Sequence, residues 1–452
     1  MVSTPDGRVF RSFPVTIMYD DIFSLQSWPR AVLHIDGDAF FTSCEEAIHP
    51  HLKGKPLITG GERGIVACAS YAAKRRGVTR GVPLHEAKRC CPGLIVLPSD
   101  YETYSLFSTR MFAIIRRFTP QVEEYSIDEA FADLTGLRRS LHSSYPQIAR
   151  MIKDAVEQEL GIGVTIGLSI TKVLAKIASK YQKPNGFTLI PGRDISHYLR
   201  DLPVASVWGI GHATTNHLAK LGITTALDFA RLPESTVRRR FVKPIREIWS
   251  ELRGITVYAV SPEGKTVYTS ISKVKTFAPP RYDAAYLFAQ LLRNCESACI
   301  KARRYSLAPR KIIVLLKRNN FTIDSIETRL SRPSAYPLEL TACLRDCFGA
   351  LYRPHVPYRA TGIILTDLHD DSQIQYSLFE DTLKADYTER LYDAADRLAA
   401  KFGKHTLHLG SSHLVESQGK GKRGTPTVRE ETTLTGESKR RHLGLPLFHI
   451  DV

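Results

Sequence analysis

Two short acidic motifs contain residues that could support phosphoryl transfer with metal ions. Asp36 stands in residues 34–38 (HIDGD), and Asp128 and Glu129 stand at the centre of residues 122–134 (VEEYSIDEAFADL). Clustered carboxylates can hold two Mg²⁺ ions, which align the reacting groups and neutralise their charge. An acidic turn facing solvent is the alternative for either motif, so the residues alone leave metal-dependent phosphoryl or nucleotidyl transfer as an open possibility.

The neighbouring elements decide whether these carboxylates meet. The apolar run Ala31–His34 predicts a buried strand that ends near Asp36, and apolar residues on both sides of Asp128-Glu129 predict a hairpin with this pair near its turn. Apolar spacing predicts helices at about 101–118, 148–160 and 173–181 and a strand at 164–170. If the two acidic strands are neighbours in one sheet, all three carboxylates converge at one edge.

The rest of the chain divides by composition. Frequent Gly and Pro predict a small, loop-rich subdomain at 42–98. A helical unit is expected at about 190–255, and a linker at 256–266. Residues 267–370 have a βαββαβ pattern, with helices at about 283–304 and 337–351. We expect residues 1–30 to be a leader, and the polar residues 371–452 to be a mostly disordered tail.

Charge and cysteine content narrow the class of protein. The formal net charge is +16, which predicts a polyanionic partner such as nucleic acid, although a merely basic soluble protein is the alternative. The eight cysteines form no CxxC pair, so we expect neither zinc nor a disulfide framework. The sequence contains no apolar run long enough for a membrane span and no signal peptide, and we expect a cytoplasmic protein.

Four motifs together resemble the Y-family (DinB/UmuC-like) DNA polymerases of bacterial type. Their order and spacing agree over about residues 31–370, and the combination is far more specific than any one of them. The motifs are residues 36–41 (DGDAFF), 70–74 (SYAAK), 125–131 (YSIDEAF) and the segment from 166–170 to 183–186 (KPNG).

The resemblance implies an α+β multidomain fold shaped like a right hand. It assigns the palm to 31–41 and 99–188, the fingers to 42–98, a helical thumb to 189–255 and a βαββαβ little finger to 267–370. The implied activity is low-fidelity, translesion DNA synthesis in the SOS response to DNA damage. A primer 3′-OH would be extended from a dNTP with two Mg²⁺ ions, on primer–template DNA.

The same resemblance assigns roles to individual residues. Asp36, Asp128 and Glu129 would be catalytic and would bind the metal ions, with a possible further ligand from the Gly37 carbonyl. Asp38 matches a position that is usually not a principal metal ligand. The expected dNTP-binding residues are Phe40, Phe41, Tyr71, Lys74 and Lys183, and Phe41 would be the steric gate that excludes a ribose 2′-hydroxyl. A core phenylalanine is the alternative for Phe41.

Three positions depart from the family pattern. Lys74 stands where arginine is usual, so we expect a less directional phosphate contact. Gly37 and Ala72 also differ from the commonest residues, and Gly37 could loosen the backbone at the metal site.

DNA contacts are expected in two places. Gly209 and Gly211 resemble the turn of a helix–hairpin–helix, in which glycines let the backbone approach a phosphate, although a helix-capping turn is the alternative. Lys273, Lys275, Lys317 and Arg329 lie on predicted little-finger strands. We expect alternate side chains to share one face and follow the phosphates across a groove, with solvated strand faces as the alternative.

The tail contains a motif for a protein partner. Gln375, Leu378 and Phe379 form a QxxLF pentapeptide that resembles the peptide by which bacterial polymerases dock on the β-type sliding clamp. Residues 442–448 (HLGLPLF) loosely resemble a second clamp peptide, with a folded-back hydrophobic end as the alternative. The clamp-like motif predicts a bacterial source, and the family resemblance implies a nucleoid-associated monomer.

Two other functions fit part of the pattern. A non-catalytic DNA- and clamp-binding subunit of the same fold would explain the charge, but such a relative should have lost at least one of the three carboxylates. A nucleotidyl cyclase on a similar palm would leave the hairpin, the little finger and the clamp-like segment unexplained.

Overall fold

A computed structural model of the chain describes residues 28–61, 64–263, 268–373, 382–402 and 405–415. The described residues form two compact units. The first contains those up to Ala47 together with those in Thr103–Gly264, and the second contains those in Ile48–Glu102 and from Lys265 onwards. No helix among the described ranges is long and apolar enough to cross a membrane.

The strands are β1 Val32–Gly37, β2 Leu57–Thr59, β3 Cys68–Ala69, β4 Ile95–Leu97, β5 Val122–Glu124, β6 Glu129–Asp133, β7 Val164–Ser169, β8 Phe187–Ile190, β9 Ser270–Arg281, β10 Leu307–Arg318, β11 Ile323–Arg329 and β12 Tyr358–Asp370. The helices are α1 Phe40–Ile48, α2 Tyr71–Lys74, α3 Leu84–Cys90, α4 Tyr101–Arg116, α5 Leu137–Ser140, α6 Tyr145–Leu160, α7 Lys172–Tyr181, α8 Ile195–Leu199, α9 His212–Lys220, α10 Ala226–Ala230, α11 Glu234–Arg240, α12 Lys243–Leu252, α13 Ala284–Arg304, α14 Pro337–Leu351 and α15 Thr382–Phe402.

A five-stranded sheet in the order β5-β6-β1-β7-β8 forms the centre of the first unit. β1 pairs antiparallel with β6 and with β7, and β5 pairs antiparallel with β6. Every residue of β1 is buried, as expected for a continuous apolar run with a strand on each side. The predicted strand before Asp36 and the predicted acidic hairpin are therefore confirmed, and they are neighbours in one sheet.

Helix α7 packs very closely on this sheet. A Cβ on Gly167 of β7 would lie 2.2 Å from both the Ala175 oxygen and the Ser179 nitrogen, so only glycine permits this approach. The close contact fixes the side chains of α7 above the strands that carry Asp36 and Glu129.

The segment from α8 to α12 is helical, as predicted, and it is anchored to α7. The buried Glu251 side chain on α12 accepts a hydrogen bond from the Val173 nitrogen at 3.2 Å and from the Val257 and Tyr258 nitrogens at 2.7 and 2.8 Å. One carboxylate thus ties α12 both to the start of α7 and to the predicted linker.

The predicted boundary between residues 41 and 42 falls inside a helix. Helix α1 runs to Ile48, and its first part belongs to the first unit, where Tyr104 donates a hydrogen bond of 2.6 Å to buried Glu45. The helix buries Phe40, Thr42 and Cys44 beside Glu45, and a search for glycine and proline breaks could not detect this.

The second unit contains a three-stranded sheet, β3-β2-β4, and a four-stranded sheet, β11-β10-β12-β9. The four strands and helices α13 and α14 follow each other in the predicted βαββαβ order. Their shared core is built from one face of each strand and the apolar sides of the two helices, including Ile271, Leu291, Val314 and Ile363.

The prediction of a disordered tail from residue 371 is wrong for residues 382–402 and 405–415. Helix α15 is docked by the Arg303–Asp396 ion pair at 2.6 Å and by stacking of Tyr392 on Tyr336. After it, the Leu409 nitrogen donates to Glu296 at 2.6 Å. A helix that buries only a narrow face has a polar average composition, and this average concealed it.

Candidate active site

The end of β1 brings two of the three predicted carboxylates together. Asp36 lies directly opposite Glu129 on β6, and on the other side it lies opposite Thr165 on β7. Directly opposed residues of an antiparallel pair project from the same face of the sheet. The Asp36 and Glu129 side chains are therefore neighbours.

Burial and mutual repulsion make Asp36 difficult to ionise. Asp36 is only 7% exposed, and burial raises its pKa to about 7; the Lys183 ammonium opposes this shift, and the Glu129 carboxylate adds to it. A divalent cation would relieve both the burial cost and the repulsion, because it would neutralise the two carboxylates together. The site is thus electrostatically suited to a hard cation with oxygen ligands.

An ammonium group is paired with each of these two carboxylates. Lys183 Nζ lies 2.5 Å from Asp36 Oδ1, and Lys176 Nζ lies 2.6 Å from Glu129 Oε2. Lys183 is a predicted residue, but its partner is a carboxylate rather than a nucleotide phosphate. Lys176 was not predicted, and only 6% of its side chain is exposed.

The sequence signal for Lys176 was a four-residue repeat of lysine on α7. Lys172, Lys176 and Lys180 occupy positions i, i+4 and i+8, so they share one side of the helix. Lys172 pairs with Glu123 at 2.6 Å, and burial together with the Lys176 charge lowers the pKa of Lys180. The apolar residues between the lysines predicted the helix correctly, but apolar spacing alone could not identify the lysines as site residues.

His34 lies beneath Glu129. Its ring is fully buried, with Nδ1 2.7 Å from Ser179 Oγ and Nε2 4.0 Å from Glu129 Oε2. Burial, reinforced by Lys176 and Lys183, lowers the pKa of His34 well below its usual value, so the ring is neutral.

Asp128 joins the site through its backbone. Its carbonyl oxygen accepts a hydrogen bond of 2.8 Å from the Gly37 nitrogen, while its carboxylate accepts one of 2.5 Å from Ser126 Oγ. Within the described ranges no three metal-ligating side chains are already gathered into a cluster. The oxygen donors of Asp36 and Glu129 fit a divalent cation, and Asp128 stands beside them at the adjoining turn.

Asp38 is a structural anchor. Its buried carboxylate accepts hydrogen bonds from Thr165 Oγ1 at 2.8 and 2.9 Å and from the Asn185 nitrogen at 2.7 Å. Lys153 Nζ donates to Asn185 Oδ1 from the other side at 2.5 Å. These bonds fix the loop that carries Lys183 and engage both oxygens of the Asp38 carboxylate.

Gly37 lies against the ring of Phe40. A Cβ at this position would lie 2.8 Å from Phe40 Cδ2, and the Phe40 side chain is buried. Glycine at this position thus has a packing reason, because the ring of Phe40 fills the space that a side chain would need. Phe40 is a core residue that supports this turn.

The Phe41 ring is half-buried and has a rigid support. It stacks on Tyr104 with ring centroids 4.5 Å apart and an interplanar angle of 12°. Tyr104 is fully buried and is held by its bond to Glu45. The sequence identified Phe41 but gave no sign of the partner beneath it.

Tyr71 and Lys74 lie in the second unit, on the single helical turn α2. Ser70 caps this turn by accepting a hydrogen bond from the Ala73 nitrogen. Lys74 Nζ lies 4.2 Å from the centre of the Tyr71 ring, so the two predicted dNTP-binding residues are in contact with each other.

The two glycines of the predicted hairpin differ in environment. Gly209 has φ +87°, and a Cβ there would lie 2.5 Å from Ile248 Cδ1. Gly211 caps the N-terminus of α9, and a Cβ there would meet no atom within 4 Å. Gly209 thus serves the packing against α12, whereas the backbone at Gly211 is open to a ligand.

The four predicted DNA-binding side chains of the four-stranded sheet do not share one face. Lys273 lies opposite Ile363, and Lys275 two residues along β9 lies on the same face, which is the face covered by α13 and α14. Lys317 and Arg329 project from the other, open face, because they pair with Ala360 and Lys311 in the alternate register. Strand parity could not be predicted without the pairing.

The clamp-like residues Gln375, Leu378 and Phe379 and the segment 442–448 lie outside the described residues.

Comparison with known proteins places this arrangement among DNA polymerases. Residues 35–180 match the model of the impB/mucB/samB family, and residues 268–378 match the C-terminal domain of that family. The DNA polymerase IV of Dehalococcoides mccartyi (strain CBDB1) is 31% identical over 392 residues, which cover 86% of this chain and 98% of that protein. The DNA polymerase IV of Moorella thermoacetica is 33% identical over 389 residues, covering 84% and 96%.

A solved structure is also similar. The Y-family DNA polymerase chimera Dbh-Dpo4(243-245)-Dbh superposes with a TM-score of 0.62 and 25% sequence identity, covering 75% of this chain and 99% of that chain. The predicted α+β, right-hand fold is thereby confirmed.

Proposed function

Because this chain belongs to the impB/mucB/samB family of Y-family DNA polymerases, we propose that it extends a DNA primer by template-directed nucleotidyl transfer from dNTPs, with Asp36, Asp128 and Glu129 at the reaction centre. The observation that supports Asp36 and Glu129 is their directly opposed position on adjacent strands, each with a lysine partner. The low-fidelity, lesion-bypassing character follows the family.

The family depends on divalent metal ions, and we propose two Mg²⁺ ions for this chain. Bound ions would neutralise the phosphate charge and polarise the attacking 3′-oxygen. Asp36 and Glu129 would hold them, and Asp128 and the Gly37 carbonyl would complete the oxygen ligands. The role of the protein is then to keep these oxygens in a dry, fixed arrangement, as the buried position of Asp36 favours.

Substrate binding is proposed for the residues that match the dNTP-binding positions of the family. Lys183 would exchange its carboxylate partner for the triphosphate, a change that its 28% side-chain exposure permits. Tyr71 and Lys74 would bind the phosphates with a hydroxyl donor and a compact positive charge. Phe41, supported by Tyr104, would exclude the ribose 2′-hydroxyl.

DNA would be bound by the thumb hairpin and the open sheet face. The Gly211 backbone, open at the N-terminus of α9, is suited to a phosphate. Lys317 and Arg329 on the open face would follow the phosphate backbone. Lys273 and Lys275 lie on the other face, so they would contact DNA only along the edge strand β9.

We assign the palm to the first unit up to residue 188, the thumb to its helical remainder, and the fingers and little finger to the second unit.

The polymerase assignment can be tested by primer extension on templates of different sequence. We expect each template base to direct incorporation of its complementary dNTP in the presence of Mg²⁺, and chelation by EDTA to stop extension. Tight DNA binding without any extension would instead support the non-catalytic, DNA-binding subunit.

Clamp binding is proposed from the QxxLF sequence alone. Deleting residues 375–379 should leave unassisted extension unchanged and abolish its stimulation by a β-type sliding clamp, because Leu378 and Phe379 would supply the apolar anchors. Deletion of residues 442–448 is the matched control. Stimulation that survives the first deletion and disappears with the second would move the docking site to the C-terminus.

A further inference from the structure

Lys176 occupies an unusual position for an ammonium group. Its side chain is almost completely buried, and Glu129 is its ion-pair partner. Protein groups must replace the water that a buried charge has lost. The Glu129 carboxylate is also a proposed metal ligand, so it cannot compensate the Lys176 charge at all times. Two aromatic rings complete the surroundings of this ammonium.

The rings belong to Tyr125 and Trp208. Lys176 Nζ lies 4.2 Å from the centre of the Tyr125 ring and 5.6 Å from that of Trp208, within the range of cation–π attraction. These contacts do not depend on Glu129. They would hold Lys176 in place while Glu129 interacts with other groups.

Trp208 in turn holds Tyr125. The indole Nε1 donates a hydrogen bond of 3.0 Å to the Tyr125 hydroxyl, and the two rings are perpendicular with centroids 5.4 Å apart. Tyr125 is 42% exposed, and its ring also contacts that of buried Phe131, with centroids 5.7 Å apart. Trp208 directly precedes Gly209, in the hairpin that we propose to contact DNA.

We propose that Lys176 is a positioning residue for Glu129, and that Trp208 controls its position through Tyr125. This inference rests on the proposed polymerase function, and it deepens it by linking the thumb hairpin to the reaction centre. The carboxylate of Glu129 is directed by Lys176, Lys176 is held by the two rings, and the rings belong to the acidic hairpin and to the thumb. A displacement of the thumb hairpin would therefore change the position of the Glu129 carboxylate through these side-chain contacts alone.

A double-mutant cycle in kcat tests this chain of contacts. We expect Lys176→Met to lower kcat about 100-fold and Trp208→Phe about 10-fold, and the double variant to lose about 100-fold because both changes disable one pathway. Lys176→Arg should recover most of the activity, and DNA affinity and KM for dNTP should change less than about twofold. A loss of about 1,000-fold in the double variant, the additive result, would refute the coupling.

Tyr258→Phe is the matched control for the cycle. The Tyr258 ring also contacts Trp208, at 6.0 Å, but its hydroxyl bonds to Glu247 rather than to the proposed chain. We expect its kcat to equal that of the wild type, and a loss as large as that of Trp208→Phe would assign the effect to general packing.

A spectroscopic measurement tests the same contacts without any turnover. The chain has three tryptophans, so its indole N–H groups give few resonances, and Trp249 is an internal reference in the thumb core. Tyr125→Phe and Lys176→Met should each shift the Trp208 indole resonance and leave that of Trp249 in place. An unmoved Trp208 resonance in both variants would refute the inference even if the wild type proved inactive, whereas an inactive wild type with the expected shifts would refute only the polymerase function.

Discussion

Replacing Asp36 by Asn, or Glu129 by Gln, is expected to reduce template-directed extension by about 1,000-fold or more, because each change removes one of the charges that hold the metal ions. Both substitutions keep the shape of the side chain and an oxygen that can accept the bond from Lys183 or Lys176. The loss should therefore appear in kcat, while the affinity for primer–template DNA changes little. Single-turnover extension and fluorescence anisotropy measure the two quantities.

Glu124→Gln is the matched control for this experiment. Glu124 lies on the same hairpin, but it is exposed and pairs with Arg116 at 2.7 Å. Its loss should change neither activity nor melting temperature, because exposed ion pairs contribute little to stability. If Asp36→Asn or Glu129→Gln retained most of the activity, the reaction centre would have to lie elsewhere. The combined Asp128→Ala and Glu129→Ala variant should be inactive as well.

The sequence predicted the central sheet well because its signals were local. The continuous apolar run before Asp36 and the apolar residues on both sides of Asp128 are properties of neighbouring residues, and the structure has a strand and a hairpin at these places. The same holds for the βαββαβ order of residues 267–370. The docked helix Thr382–Phe402 could not be detected in this way, because its stability depends on Arg303 and Tyr336, which lie far away in the sequence.

The proposed reaction centre was predicted as far as its acidic residues and Lys183, but Lys176 was not predicted. The lysine partners of Asp36 and Glu129 come from α7 and the loop after it, and the close approach of α7 depends on Gly167. That approach is a tertiary contact with no periodic signature. For the same reason the sequence placed Lys273 with Lys317, although pairing of β9 with β12 puts them on opposite faces.

Phe41→Ala is expected to raise ribonucleotide incorporation, relative to dNTP incorporation, on the order of 100-fold, since the ring that would clash with a 2′-hydroxyl is removed. The ratio of kcat/KM for the two sugars measures this effect. The structure adds a second variant, because Phe41 can act as a rigid barrier only while Tyr104 supports it at 4.5 Å. Tyr104→Leu should weaken sugar discrimination to an intermediate degree, although residue 104 is buried.

Tyr104→Phe separates this support from general stability. The change removes the hydrogen bond to Glu45 but keeps a ring beneath Phe41, so the protein should be less stable while its sugar discrimination stays that of the wild type. Loss of discrimination in Tyr104→Phe would mean that the bond to Glu45, rather than the stacked ring, determines the barrier. Unchanged discrimination in Phe41→Ala would instead return Phe41 to the alternative of a core side chain and require another residue to read the sugar.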